Sequence, residues 1–175
     1  SAHDFSTEDW NTTGGAAQGE ICNVCHTPHN PSTSESPLWD HELAGTTYTP
    51  YTSDTLNTAL GTDVGPVSRM CLGCHDGVVA LDDFGGNTGT NLMATTAAGY
   101  IGNDLTDDHP VGFTYSSGSN GPATDFDYTA TMDLPLYGTN QVECATCHDP
   151  HNTDDGKFLR QTNVGSALCL KCHNK

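Results

Sequence analysis

The sequence is poor in basic residues, and this shortage excludes several classes of protein. Only 5 of the 175 residues are Lys or Arg, against 22 Asp or Glu, which gives a formal net charge of −17. So few cations cannot neutralise a run of phosphates, so we expect no binding to nucleic acid. An anionic membrane surface would repel the chain as well, and no apolar run approaches the roughly 18 residues of a membrane-spanning helix.

Aliphatic side chains are also scarce. Leu, Val, Phe and Ile together make up 28 of 175 residues, or 16 %. A low apolar fraction combined with a high net charge is typical of disordered chains, yet this chain also holds 8 Cys, 6 Tyr and 2 Trp. We therefore expect something other than aliphatic side chains to supply the interior.

All eight cysteines fall in four Cys-x-x-Cys pairs, and a histidine follows each pair directly. The pairs are Cys22/Cys25, Cys71/Cys74, Cys144/Cys147 and Cys169/Cys172, and the histidines are His26, His75, His148 and His173. Cys-x-x-Cys-His (CxxCH) is the attachment pattern of c-type haem, in which both thiols bond to the haem and the imidazole is the proximal iron ligand. The sequence thus predicts four covalently bound haem c groups, whose apolar rings would form the interior.

Two other interpretations of the cysteines stay open at this point. Eight cysteines in an exported chain could form four disulfides, and Cys₄ or Cys₂His₂ zinc sites are the other alternative. Neither explains why a histidine follows every pair, so haem attachment is favoured.

The motifs repeat in the order A-B, A-B. Segments 22–30 and 144–152 share Cys, Cys, His, Pro, His and Asn, while segment 68–75 parallels segment 166–173. We predict a single tetrahaem domain with a first two-haem part at about 1–75, a Gly/Thr/Asn-rich insertion at about 76–143 and a second two-haem part at about 144–175.

The predicted fold class is a small, mostly irregular multihaem cytochrome c fold, organised by haem, with a few short helices and minimal strand. Ser68 and Ser166 are predicted to cap short helices that carry the B motifs, and Ser53 or Asp54 to cap a helix ending at Gly61. Segment 111–115 alternates as a short strand does. The acidic cluster Asp104, Asp107 and Asp108 is interpreted as a solvated loop rather than a calcium site.

Five further histidines could complete the iron coordination: His3, His29, His41, His109 and His151. Four irons need four distal ligands, so every haem can be closed by two histidines, with one histidine left over. His29 and His151 each lie three residues after a proximal histidine and cannot reach the opposite face of the same haem, so each would bind a different one. His41 is taken as the histidine left over, and Trp39 is expected to pack on a haem face.

Several segments in order along nearly the whole chain resemble the doubled-CxxCH multihaem c-type cytochromes, and among these the tetrahaem cytochromes of extracellular filaments. The segments are Ser-Ala-His-Asp-Phe-Ser, Ile-Cys-Asn-Val-Cys-His-Thr-Pro-His-Asn, Pro-Leu-Trp-Asp-His, Met-Cys-Leu-Gly-Cys-His-Asp-Gly, His-Pro-Val-Gly-Phe-Thr-Tyr and Cys-Ala-Thr-Cys-His-Asp-Pro-His. The resemblance implies low-potential, low-spin haems with distal ligands at His3, His29, His109 and His151. It also implies that a histidine of one subunit, His29 or His3, binds a haem of the next.

The expected function is that of a secreted, non-enzymatic electron carrier. The chain would be exported through the periplasm, lose a signal peptide before Ser1, and polymerise with copies of itself into a conductive extracellular filament. Periplasmic or outer-membrane cytochromes would donate its electrons. A soluble periplasmic tetrahaem shuttle and a multihaem reductase with one open haem are the alternatives.

Overall fold

The computed structural model describes residues 1–12, 19–31, 38–56, 59–115 and 133–173. The chain divides into a first unit, Ser1–Thr49 with Arg69–Leu105, and a second unit, Pro50–Ser68 with Thr106–Lys175. Each unit contains two CxxCH motifs. The division at residues 75 and 143 was made on the basis of the motifs in the sequence, and that division stays a prediction.

Regular secondary structure is sparse in the described residues. The helices are α1 (Asp9–Thr12), α2 (Pro66–His75) and α3 (Cys144–Cys147), and the strands are β1 (Phe113–Thr114) and β2 (Gln141–Val142). Single 3₁₀ turns cover Cys22–Val24, Val164–Ser166 and Cys169–Lys171. The predicted fold class, with few short helices and minimal strand, is confirmed. Within the described ranges, no helix is long and apolar enough to cross a membrane.

One apolar cluster of the first unit lies next to the first motif. Val24 and Phe84 are buried, and Phe5, Trp10 and the motif cysteine Cys25 pack against them. The ring centroids of Phe5 and Trp10 lie 5.4 Å apart. Elsewhere in this unit Tyr48, Met70 and Leu72 are also buried.

The second unit is built around a short antiparallel ribbon. Strands β1 and β2 pair with Phe113 opposite Val142, and both side chains are buried together with Tyr115. Three partly buried residues complete this cluster, namely Leu60, Leu136 and Cys172. The ribbon leads directly into α3, which carries the third motif. Here too a motif cysteine belongs to the apolar core.

Helix α2 carries the second motif and begins earlier than predicted. Its first residue is Pro66, so Ser68 lies inside the first turn and the prediction that Ser68 is the cap is wrong. Proline suits the first helical position because it has no N–H to leave unpaired. The Glu143 carboxylate takes the place of a local cap, since its Oε2 accepts the Ser68 N–H at 2.6 Å.

Two other helix predictions are also wrong. Ser166 ends a 3₁₀ turn with a φ of 63°, a left-handed value that cannot begin a helix. Between residues 53 and 61 the described positions form a turn and no helix, and residues 57–58 lie outside the description. The strand predicted within segment 111–115 is confirmed as β1.

Candidate functional site

All eight cysteines lie in the described residues, and the structure pairs none of them in a disulfide. The disulfide interpretation therefore has no support. Among the described residues, no group of three or more His, Cys, Asp or Glu side chains is arranged to hold a metal ion, as a zinc site would require. The remaining interpretation is that each cysteine pair acts together with the histidine that follows it.

The first motif is held by a chain segment that returns alongside it. The Thr27 N–H donates to the Leu38 carbonyl at 2.8 Å, and the Asp40 N–H donates to the Cys25 carbonyl at 2.9 Å. Leu38 turns the chain at a φ of 57°. The pairing leaves Trp39 opposite the proximal histidine of this motif.

The third motif repeats this arrangement bond for bond. The Asp149 N–H donates to the Phe158 carbonyl at 2.7 Å, and the Arg160 N–H donates to the Cys147 carbonyl at 2.9 Å. Phe158 has a φ of 56°, close to that of the turning residue in the first motif. The repeat seen in the CxxCH segments therefore extends into the return segments, where 38–40 corresponds to 158–160.

Two proximal histidines face histidines predicted as distal ligands. The ring centroids of His3 and His75 lie 6.0 Å apart, and those of His109 and His173 lie 6.3 Å apart. Imidazole nitrogens bind transition metals at about 2 Å, so two rings on opposite sides of one iron have centroids about 6 Å apart. The first pair lies in the first unit and the second pair in the second unit, and both fit that spacing.

Four histidines direct ring nitrogen Nδ1 at a backbone carbonyl. His75 contacts the Gly99 carbonyl at 2.6 Å, and His148 contacts that of Lys157 at 2.9 Å. His109 and His41 each contact the carbonyl of the following residue at 2.9 Å. A carbonyl only accepts, so Nδ1 carries the proton and Nε2 presents its lone pair, which is the arrangement of histidines that bind metals.

The two histidines that follow the A motifs lie at the surface. His29 is exposed, and the side chain of His151 is 77 % exposed, with its Nδ1 3.4 Å from Asp149 Oδ1. The proximal histidine of the first motif, His26, meets Trp39 edge-on at a centroid distance of 6.0 Å.

Burial makes the thiol of the second cysteine in each motif less acidic. Burial, with the neighbouring Cys22, raises the pKa of Cys25 to about 11, and burial chiefly raises that of Cys147 to about 11 as well. Burial also raises the pKa of Cys74 and of Cys172. All four thiols are the second cysteine of their motif, so burial of this position is a feature that the motifs share.

Residues 138–175 match the protein family described as the doubled CXXCH motif. This doubled motif is that of a multihaem c-type cytochrome, a protein of electron transfer. The match covers the third and fourth motifs of the chain, and no curated protein matches it. The motifs indicate covalently bound haem c, and the facing histidines and the Nδ1 bonds fit axial coordination of its iron.

Two residues that the sequence analysis did not assign to the site are buried and hydrogen-bonded in the structure. His41, predicted to have no iron to bind, is fully buried, with Nε2 3.3 Å from Cys74 Sγ. Glu143 is 1 % exposed and caps helix α2, although it lies 75 residues after Ser68 in the sequence. Its position directly before the third motif is the one signal in the sequence that could have drawn attention to it.

Proposed function

We propose that the protein is a tetrahaem electron carrier whose irons are all closed by two histidines, and that copies of it join into a conductive extracellular filament. The observation that carries this proposal is the pair of facing imidazoles in each unit, His3 with His75 and His109 with His173. An iron with two histidine ligands has no open position for a substrate, so it exchanges electrons only.

Haem c, when bound, supplies a reversible one-electron change at its iron. The chain holds the group through the two cysteines of each motif and holds the imidazoles through backbone hydrogen bonds. Fixed rings reduce the reorganisation that accompanies electron transfer, because the ligands keep the same orientation in both oxidation states. Buried thiols near each apolar cluster fix the attachment side of the group.

The surface position of His29 and His151 supports contact between copies. Both are predicted distal ligands, and both are exposed. A histidine that lies three residues after a proximal ligand must serve a different haem, so an exposed one is suited to a haem of a neighbouring copy. His3 faces His75 in its own unit, which favours His29 over His3 for this role.

The proposal includes export and excludes catalysis. Covalent haem attachment takes place outside the cytoplasm, and the strongly acidic chain offers few cations with which a reductase would bind an anionic substrate. The described residues hold Arg69, Lys157, Arg160 and Lys171, and the two arginines are engaged with backbone carbonyls. Electron donors would be other cytochromes.

Three measurements test this function. Intact mass of the secreted protein should exceed the 18.5 kDa chain by four haems. Carbon monoxide should leave the spectrum of the reduced protein unchanged, whereas a shift would indicate an open haem and a reductase. Electron microscopy of the undenatured protein should show fibres with a regular repeat, and discrete particles would instead support a soluble periplasmic shuttle.

A further inference from the structure

The two repeats differ at the residue that follows each return segment. The hydrogen bonds that align Asp40 with Arg160 also align the next residues, His41 and Gln161. The first unit therefore has an imidazole where the second unit has a side-chain amide. The Gln161 Nε2 donates to the Ala167 carbonyl at 3.4 Å, so the amide serves a local turn.

His41 is held as an iron ligand is held. It is 0 % exposed, and its Nδ1 donates to the carbonyl of the next residue, Glu42, at 2.9 Å. The predicted distal ligand His109 makes the same bond to the carbonyl of its next residue, Pro110, at the same distance. In both rings the proton therefore lies on Nδ1, and Nε2 is the nitrogen that carries the lone pair.

His41 lies between the two motifs of the first unit. Its Nε2 is 3.3 Å from Cys74 Sγ, and its ring centroid is 6.5 Å from that of Trp39. The same indole meets the proximal ligand His26 at 6.0 Å. The Asp40 N–H donates to the Cys25 carbonyl at 2.9 Å, so the residue before His41 is bonded to the first motif.

The other histidines of the first unit are accounted for. His3 faces His75, the proximal ligand of the second motif. His29 is exposed and too near His26 in sequence to bind the opposite face of the same haem. His41 is the remaining histidine of this unit; it is buried, and the backbone just before it pairs with the first motif.

We propose that His41 is the distal ligand of the haem attached to Cys22 and Cys25, with His26 as the proximal ligand. The inference rests on the proposed bis-histidine function and assigns one of its irons. The first unit then closes both irons with its own histidines, while the second unit, which has Gln161 at this place, depends on an exposed histidine for the haem of its third motif.

The test replaces His41 with the residue that the second repeat uses. In haem-loaded, full-length His41→Gln, the electron paramagnetic resonance spectrum of the oxidised protein should show one new high-spin haem per chain, and the reduced protein should gain one carbon monoxide site. Added imidazole should restore the low-spin signal. The matched control, Gln161→Ala, should leave the wild-type signals unchanged. An unaltered spectrum in His41→Gln with full haem content would overturn the inference.

Two further variants keep the test decisive if His41→Gln fails to fold, or if His41 serves the same iron as His3. His41→Met should load haem and stay low-spin with one haem at a higher potential, because methionine ligation raises the potential; potentials identical to wild type would contradict the inference. The double variant His3→Ala/His41→Gln should open two irons per chain, and opening only one would show that both residues serve the same haem. Carbon monoxide binding by the wild type would reject the proposed function itself, independently of these comparisons.

Discussion

The second and fourth motifs share the sequence Ser-x-x-Cys-Leu-x-Cys-His but differ in backbone. The second lies in the ten-residue helix α2, where Ser68 is fully buried. The fourth lies in two 3₁₀ turns, where Ser166 is exposed with a φ of 63°. The motif alone therefore does not determine the conformation of the chain that carries it.

The difference arises from what precedes each motif. Gly65 and Pro66 lead into α2, and the buried Glu143 carboxylate accepts N–H groups of its first turn. A Cβ on Gly65 would lie 2.7 Å from the Glu143 carboxyl carbon, so glycine makes room for this cap. The fourth motif is preceded by Gly165 with a φ of 63°, which ends the turn.

Both backbones nevertheless deliver the same ligand arrangement. The proximal histidine at the end of α2 faces His3 at 6.0 Å, and the one after the 3₁₀ turns faces His109 at 6.3 Å. Attachment to haem would require the same placement of the two cysteines and the histidine in both motifs. The comparison shows that a helix and a pair of 3₁₀ turns both place the motif histidine 6.0–6.3 Å from a second imidazole.

The largest expected effect comes from breaking each ligand pair. His3→Ala and His109→Ala should each convert one haem per chain from low-spin to high-spin, because the opposite histidine remains as the only axial ligand. The double variant should convert two. Electron paramagnetic resonance of the oxidised protein measures the conversion. Equal spectra for variant and wild type would refute the pairing at that motif.

The next effect comes from removing the cap that distinguishes the second motif. Glu143→Ala should lower the free energy of unfolding by about 2–3 kcal/mol, because it deletes the hydrogen bonds to the first turn of α2 and leaves buried N–H groups without an acceptor. Denaturant titration with circular dichroism measures this loss. The control is Glu20→Ala, an exposed acid just before the first motif, which should cost less than about 0.5 kcal/mol. Similar losses in both would argue against the cap.

The same carboxylate should give stability a pH dependence. Burial, as the largest cause, raises the pKa of Glu143 above its ordinary value of 4.5. The unfolded chain therefore releases this proton at a lower pH than the folded chain, so stability is fully present below pH 4.5 and falls as the pH rises through the folded pKa.

The Glu143→Gln variant separates the contribution of Glu143 to the pH dependence of stability from the contributions of the other carboxylates. The difference in unfolding free energy between wild type and variant should shift in favour of the variant as the pH rises above 4.5. A difference that stays constant across this range would show that the carboxyl titrates alike in both states.

The smallest effect concerns the strained serine of the fourth motif. Ser166→Gly should raise the free energy of unfolding by up to about 1 kcal/mol, because glycine adopts a positive φ without steric cost. The corresponding Ser68→Gly should lower it, since it weakens a helix and removes the Oγ that accepts the Cys144 N–H at 3.0 Å. Thermal unfolding of the two variants should therefore shift in opposite directions.

The sequence alone predicted the features that depend on local spacing. The CxxCH motifs, the A-B repeat and the sparse secondary structure could be predicted because each rests on residues a few positions apart. The start of α2 could not, because its cap lies 75 residues away at Glu143. The left-handed Ser166 was missed for a similar reason, as a favoured capping residue gives no sign of its φ.

The histidines also divide into those that local spacing predicts and those whose position depends on the fold. The four proximal histidines follow from spacing alone. The facing of His3 with His75 depends on how the first unit folds, and no pattern in the sequence links residues 72 positions apart. The burial of His41 was equally hidden, because its neighbours Asp40 and Glu42 are acidic and suggest a solvated segment.

The carbonyl partners of the ring nitrogens have a consequence for how current would flow. A peptide carbonyl accepts a hydrogen bond but does not take up the proton, whereas a carboxylate partner can. If His75, His109 and His148 bind haem iron, a change in the iron's oxidation state would transfer no proton to the carbonyl behind the ring. In the proposed filament, we therefore expect electron transfer between haems to be uncoupled from proton transfer, so that the conductance does not depend on proton exchange with water.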